Sequence, residues 1–333
     1  MKPKSIFLLN SSLQRTIYND AALQKISALT VNDGKVHESA EILAHPEDYA
    51  DVEIIFSGWG CPKMEVELLE ALPNVKALFY GAGSIKGLAT DAFWNRNILL
   101  TSAYTANAVP VSEFTVASVI FALKKAWVFN REIRQGNPEF RAVKVPGVYH
   151  GSAVGIVSLG AIGQLVCKKL SQMDVDVFAF DPYASDALFE ECGATRVDSL
   201  QALFSTCQVV SLHAPWLPQT EDMITGELLR SMPEGATFIN TSRGRIVVEA
   251  EMIEVLKERP DLFAVIDVIT DESDYRASPL AQLPNTFLTP HIAGSTGLEC
   301  HRMGALAVEE CERYLKGEPP VVPVTRESAE KMA

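Results

Sequence analysis

Three residues of this 333-residue chain combine a cation, a carboxylate and an imidazole: Arg243 in NTSRGR, Glu272 in IDVITDES and His291 in LTPHIAGS. Each sits where the local pattern predicts the carboxyl end of a buried strand, and loops at strand ends are where open α/β sheets place their chemistry. A guanidinium clamps planar carboxylate and carbonyl oxygens in a geometry that lysine does not reproduce. An imidazole exchanges protons near neutral pH, and a carboxylate within reach fixes its tautomer. Together these are the parts needed to bind a 2-oxo acid and move a proton to its carbonyl. Each also has a plainer reading taken alone. His291, after Pro290, fits a structural histidine, Glu272 a solvated member of the acidic DESD loop, and Arg243 a surface ion-pairing residue.

A proton partner for a carbonyl needs a hydride partner, and a nucleotide-binding turn lies upstream. The dinucleotide fingerprint is G-x-G-x-x-G between a strand and a helix, with an acidic residue roughly 20 positions on. Here the segment reads Ser158-Leu159-Gly160-Ala161-Ile162-Gly163, so serine stands at the first glycine. That exchange costs little where φ is negative. Gly160 lets backbone approach a pyrophosphate, Gly163 allows close helix packing, and the free amides at the helix start suit an anion. Asp181, followed by Pro182, ends the next strand and is placed to accept hydrogen bonds from a ribose diol. Its charge repels a 2′-phosphate, which favours NAD over NADP. The plain alternative is an ordinary strand–turn–helix with Asp181 capping the next stretch of chain.

The elements that must position these residues are strand-like apolar runs alternating with segments of helical period. That alternation reads as α/β with two doubly wound parallel sheets. SIFLL, VEIIFS, VKALFY and ILLTS are the strands of the first hundred residues; AVGIVS, DVFAFD, QVVSLHAP, ATFINTSRG, LFAVIDV and TFLTPH come later. A long helix is expected from about Val109 to Arg134 with Pro110 in its first turn, then a Gly- and Pro-rich connection, RQGNPEFRAVKVPGVYHG. A last helix is expected from Thr296 to Lys316, stopping at Gly317. Hydrophobic content of 47% indicates a globular chain, and the net charge of −13 argues against nucleic acid or an anionic membrane as partner. The six cysteines show no metal spacing, so no metal is expected, and reduced thiols in the cytoplasm are. The short apolar run in MKPKSIFLLN reads as a first strand, not a signal, and no membrane span is expected.

With SLGAIG, NTSRG, IDVITDE and TPHIAG in place, the chain resembles the D-isomer-specific 2-hydroxyacid dehydrogenase family from ADVEIIFS to ERYLKG. Arg243 precedes Glu272 by 29 residues and Glu272 precedes His291 by 19, the family's order of Arg, Glu and His. The resemblance implies a Rossmann NAD-binding domain, about 107–295, inserted into a flavodoxin-like substrate domain built from 1–106 and 296–333, with two long helices crossing between them. It implies His291 as acid/base oriented by Glu272, Arg243 on the substrate, and commonly a homodimer joined through the cofactor domains. Asp267 of IDV corresponds to the contact to the nicotinamide carboxamide, with a strand-end cap as its plain alternative. His213, Ala214 and Pro215 of SLHAP resemble the stretch lining the adenine side; a histidine satisfied by its own loop is the competing reading. Thr241 and Ser242 are expected to reach the cofactor through backbone or hydroxyl, and Gly294 of TPHIAG lies in the same region.

For the substrate, Tyr80-Gly81-Ala82-Gly83-Ser84 offers closely spaced amides, a carboxylate nest. Ser84-Ile85-Lys86 departs from the family's Asp-Asn pair, so which amides bind is open. Asn107 matches a hinge-proximal asparagine that helps close the cleft. Trp59, Tyr104 and Trp127 are candidates for pocket walls, or for core. The resemblance implies a small 2-hydroxy or 2-oxo acid as substrate, and no cluster of Arg and Lys for a phosphate is visible near these loops. The rival from another class is an NAD(H)-sensing interaction protein on the same fold, like the C-terminal-binding corepressors.

Overall fold

Runs such as ALFY and AVGIV carry no polar face, so they must be covered on both sides, and they become central strands of two sheets. The structure, a computed structural model, describes residues 1–137, 145 and 147–332. Two units separate: Met1–Asn107 with Ser295–Ala333, and Ala108–Gly294. Asn107 and Ser295 thus both belong to the terminal unit, one residue beyond the expected boundary at each junction. The Ser295 amide donates to Asn107 Oδ1 at 2.9 Å, which ties the two ends together.

The terminal unit has five strands: β1 Lys4–Leu8, β2 Val52–Ser57, β3 Ala77–Tyr80, β4 Leu99–Ser102 and, close to the carboxyl end, β12 Pro323–Val324. They form one sheet in the order β1-β2-β3-β4-β12. The first four strands are parallel and β12 is antiparallel to β4. Beyond β1, Val31 and Val36 form isolated parallel bridges to it, the remnant of a strand at the outer edge. The buried Glu310 carboxylate accepts from the Val321 and Val322 amides and so holds the segment that becomes β12.

The second unit carries seven strands: β5 Ala153–Val157, β6 Asp176–Phe180, β7 Thr195–Arg196, β8 Val209–Leu212, β9 Thr237–Asn240, β10 Phe263–Ile266 and β11 Thr286–Leu288. Their order in the sheet is β11-β10-β9-β8-β5-β6-β7, all parallel. The strand order reverses between β5 and β8, the switch point at which doubly wound sheets bind dinucleotides beyond their carboxyl ends.

The expected long helix starts earlier and divides. It runs Tyr104–Leu123, breaks, and resumes at Ala126–Arg134. Lys125 takes φ +52° at the break, and its amine donates to the Gly235 carbonyl. Pro110 therefore lies inside the helix rather than in its first turn, and withholds the amide that would bond Ala106. Among the described residues this is the helix long and apolar enough to cross a bilayer, yet 56% of its apolar window is buried within the chain. Residues 138–144 and 146 of the Gly- and Pro-rich connection beginning at Arg134 fall outside the described residues. The helix expected over Thr296–Lys316 is Cys300–Leu315, entered through a 3-10 turn at Gly297–Glu299 with a Thr296 capping box, and a short helix at Arg326–Ala329 follows β12.

Candidate active site

Beyond β9 the chain turns through Thr241, Ser242 and Arg243. Asn240 shapes the turn: its Oδ1 accepts the Ser242 amide at 2.9 Å and its Nδ2 donates to the Arg243 carbonyl at 3.2 Å. Both hydroxyls already have a partner: Ser242 Oγ donates to the Ala214 carbonyl, and buried Thr241 Oγ1 lies 3.4 Å from Thr115 Oγ1. Each keeps acceptor capacity. Gly244 then presses on the neighbouring loop, where a Cβ would come 2.1 Å from the Ile269 carbonyl carbon. Only glycine permits that approach, and it brings the Arg243 turn against the loop that carries Glu272.

Arg243 is half-buried, its Nη1 donating to its own Ser242 carbonyl at 2.6 Å. Burial pushes the guanidinium down from its ordinary value, and the nearby Glu272 charge opposes that. Glu272 Oε2 sits 2.9 Å from His291 Nδ1. A carboxylate only accepts, so Nδ1 carries the hydrogen and Nε2 is the nitrogen left to load and unload a proton. The three residues of the sequence analysis are therefore brought together.

His291 holds φ +54°, a left-handed conformation that is uncommon for a residue other than glycine. The structure over-determines it from Asp267, at the end of β10. The His291 amide donates to the Asp267 carbonyl at 2.9 Å. The fully buried Asp267 carboxylate accepts from Thr289 Oγ1 at 2.6 Å, the Ile292 amide at 2.8 Å and the Ala293 amide at 2.9 Å. Both its oxygens are thus engaged by the histidine turn, the arrangement of a strand-end clamp, with Oδ2 accepting a single bond. Gly294 comes next, half-buried at the end of the turn. Thr289 had no signal in the sequence, because its role exists only through Asp267, 22 residues away.

At the nucleotide turn, Gly160 is open, with nothing within 4 Å of a would-be Cβ, whereas a Cβ on Gly163 would meet the Ser158 carbonyl at 2.0 Å. The helix Ala161–Leu170 begins without a side-chain cap, so its first amides at Ala161, Ile162 and Gly163 remain for an anion. Ser158 departs from expectation: its φ is +77°, not negative, so a side chain is forced where glycine is at ease. Its hydroxyl reaches Asp181 Oδ2 at 3.3 Å, and the Leu159 amide donates to the same oxygen at 2.8 Å. Asp181 Oδ1 accepts the Tyr183 and Ala184 amides at 2.8 and 3.1 Å. A ribose diol would therefore have to replace an existing bond, the long Ser158 contact being the weakest. Pro182 beside it is exposed. After β8, buried His213 bonds Ser211 Oγ through Nε2 at 3.0 Å while Nδ1 has no partner. Burial pushes this imidazole down to about 3, so it is neutral. The histidine is only half satisfied by its own loop. An orphaned nitrogen beside open helix amides at the switch point fits a bound dinucleotide, with Ala214 and Pro215 continuing the same loop.

In the terminal unit, the Gly81 amide is not available for a carboxylate because it donates to the Ser57 carbonyl at 2.9 Å. Ser102 Oγ donates to the Ala82 and Gly83 carbonyls at 3.0 and 2.6 Å, which turns the loop and leaves the amides of Ala82, Gly83 and Ser84 as its candidate donors. With its Oδ1 engaged by Ser295, Asn107 directs Nδ2 toward Gly83, 3.6 Å from where a Cβ would stand. Half-buried Trp59 packs against three apolar clusters of this unit. Half-buried Tyr104 opens the Tyr104–Leu123 helix at the end of β4. Half-buried Trp127 packs against the core of the other unit, stacked on Phe263 and Phe287 at 5.5 and 5.1 Å.

The family model for the D-isomer specific 2-hydroxyacid dehydrogenase NAD binding domain matches residues 116–293. A glyoxylate reductase of Thermofilum pendens is 30% identical over 271 residues, 80% of this chain and 79% of that protein. A D-3-phosphoglycerate dehydrogenase of Methanocaldococcus jannaschii is 26% identical over 296 residues, 89% of this chain but 55% of that protein. The chain thus spans about half the length of the archaeal phosphoglycerate dehydrogenases it matches. Among solved structures, D-mandelate dehydrogenase of Rhodotorula graminis superposes with a TM-score of 0.82 at 22% identity, covering 98% of each chain. A matched NAD-binding domain over the unit that holds Arg243, Glu272 and His291, with a relative similar along most of both chains, settles the assignment: the chain belongs to the D-isomer specific 2-hydroxyacid dehydrogenase family.

Proposed function

We propose that the chain is an NAD-dependent 2-hydroxyacid dehydrogenase working as a reductase of a small, unphosphorylated 2-oxo acid. The observation that carries this reading is the 2.9 Å pair of His291 Nδ1 and Glu272, with the half-buried Arg243 guanidinium beside it. NAD, held by the amides of Ala161–Gly163 and by the His213 loop, supplies the hydride chemistry when bound. His291 carries its transferable proton on Nε2 and gives it to the carbonyl oxygen of the substrate. Glu272 keeps the ring oriented throughout and offsets the imidazolium charge; in the oxidative direction Nε2 takes the proton back. Positioned acid–base groups of this kind contribute roughly 10²–10⁴-fold. Arg243 holds the planar carboxylate and carbonyl oxygens, and its partial burial strengthens that attraction relative to water. The amides of Ala82, Gly83 and Ser84 are the terminal unit's own donors for a carboxylate.

The negative charge of Asp181 makes NADH the preferred form over NADPH. All six cysteines are free thiols, which suits the cytoplasm. The cofactor unit also exposes Phe121 at 51% and Ile133 at 68%, and its helix Ala126–Arg134 has no buried residue. Apolar surface of that kind supports a homodimer through this unit. The test is a panel of 2-oxo acids (glyoxylate, hydroxypyruvate, its 3-phosphate and branched-chain acids) with NADH and NADPH, monitored at the nicotinamide absorbance. Turnover of at least one unphosphorylated acid with NADH is expected. Tight NADH binding without turnover of any acid would instead favour a nucleotide-sensing interaction protein.

A further inference from the structure

Ser158 is strained where it stands. Its φ of +77° is a conformation in which glycine is at ease and an L side chain is not. The backbone is pinned on both sides: the Ser158 amide donates to the Phe180 carbonyl at 2.8 Å, and Gly163 packs directly against the Ser158 carbonyl. Rotation about the Cα–Cβ bond is the freedom left to the side chain. The hydroxyl uses it to donate to Asp181 Oδ2 at 3.3 Å, which is long for an O–H···O bond. So weak a bond does not offset the strained backbone, and a backbone outlier in the nucleotide turn points to function.

The acceptor explains what that function is. A carboxylate has about four lone-pair sites, and those of Asp181 are all taken. Oδ1 accepts the Tyr183 and Ala184 amides at 2.8 and 3.1 Å; Oδ2 accepts the Leu159 amide at 2.8 Å and the Ser158 hydroxyl. Three of these donors are backbone amides that cannot leave without undoing the local turns. The fourth is a half-buried hydroxyl that leaves by one bond rotation. In dinucleotide folds the carboxylate at this position takes the 2′-hydroxyl of the adenosine ribose.

We propose that the Ser158 hydroxyl is a placeholder for that ribose hydroxyl, filling the last acceptor site of Asp181 until the nucleotide displaces it. This rests on the NAD reading above and deepens it. Binding then exchanges one hydrogen bond at Oδ2 for another, so serine at this turn weakens the grip on NADH relative to alanine or glycine. The exchange is also selective. An ionised 2′-phosphate brings no donor and a charge of the same sign, so it cannot take the place that Ser158 gives up.

Ser158→Ala and Ser158→Gly, titrated by nucleotide fluorescence with NADH and with an NADH analogue lacking the adenosine 2′-hydroxyl, decide the matter. Alanine removes the hydroxyl and keeps a side chain at the strained φ; glycine removes both. Both variants are expected to bind NADH about two- to fivefold more tightly than wild type, the net size of one modest hydrogen bond. Neither should gain on the 2′-deoxy analogue, which has no donor for the vacated site. The melting temperature without nucleotide should rise for glycine and not for alanine, which keeps relief of strain apart from the exchange. Unchanged or weaker NADH binding by Ser158→Ala, or an equal gain on both nucleotides, would overturn the placeholder. Wild type that binds no NADH removes the cofactor reading and the placeholder with it, whereas wild-type binding that Ser158→Ala leaves unmoved removes the placeholder alone.

Discussion

Asp267→Asn separates two roles for one carboxylate. In the structure this side chain is fully buried and accepts three hydrogen bonds, from Thr289 Oγ1, the Ile292 amide and the Ala293 amide. Asparagine is nearly isosteric but has one acceptor oxygen. If that oxygen serves Thr289 and Ile292, the new NH₂ group faces the Ala293 N–H, donor against donor. One charge-assisted bond is lost, worth about 1.5–3 kcal/mol with its buried donor left unsatisfied, and the two retained bonds weaken as the charge goes. The expected destabilisation is about 3 kcal/mol. For a domain of this size each kcal/mol moves the melting temperature by roughly 2–4 °C, which makes the expected fall about 6–12 °C. Because the same bonds hold His291 at its left-handed φ, kcat should fall as well. Differential scanning fluorimetry without nucleotide, kcat for the best 2-oxo acid, and NADH titration by fluorescence together read the three consequences. Were Asp267 only a contact to the nicotinamide carboxamide, the variant would keep its melting temperature and lose NADH affinity alone. That result would refute the clamp.

The same geometry sets three further outcomes. His291→Ala should lower kcat by roughly 10²–10⁴-fold with NADH affinity nearly intact, because Nε2 acts on substrate; steady-state kinetics beside NADH titration check this, and equal turnover removes the assigned acid. Ser158→Gly relieves a side chain at φ +77°, a strain of about 1–2 kcal/mol offset in part by the weak bond to Asp181. The melting temperature should rise by roughly 2–4 °C, and a fall would mean that the hydroxyl matters more than the backbone. His213 is buried neutral, with a folded pKa near 3 against 6.5 unfolded, so below about 6.5 the unfolded chain binds the extra proton. Its contribution is complete above that pH and is lost as pH falls toward 3. In unfolding titrations from about pH 7.5 to 4.5, His213→Gln should therefore lose stability more gently than the wild type; parallel curves would contradict the burial argument.

The amino-acid sequence by itself determined the alternation of buried strands and helices, the nucleotide turn at Gly160–Gly163, and the three residues of the acid–base and anion-binding group. These are legible because each rests on local chemistry: an unbroken apolar run must be covered on both faces, and a turn packed as closely as Gly163 must use glycine. The Ser158 departure was legible too, but its cost was not, because a backbone dihedral is set by what the turn packs against. Pro110 misled for the complementary reason, since a favourable helix start was overridden by packing that extends the helix back to Tyr104. What only the tertiary structure decided is which polar atoms remain free. Asp181 and Asp267 read as ligand contacts and are found holding backbone amides, and the Gly81 amide, Thr241 and Ser242 are likewise engaged by neighbours far along the chain. Thr289 carried no motif and acquires its role solely through Asp267. A hydrogen-bonding group has a fixed capacity, and whether any is left for a ligand depends on partners that only the folded chain brings within about 3 Å.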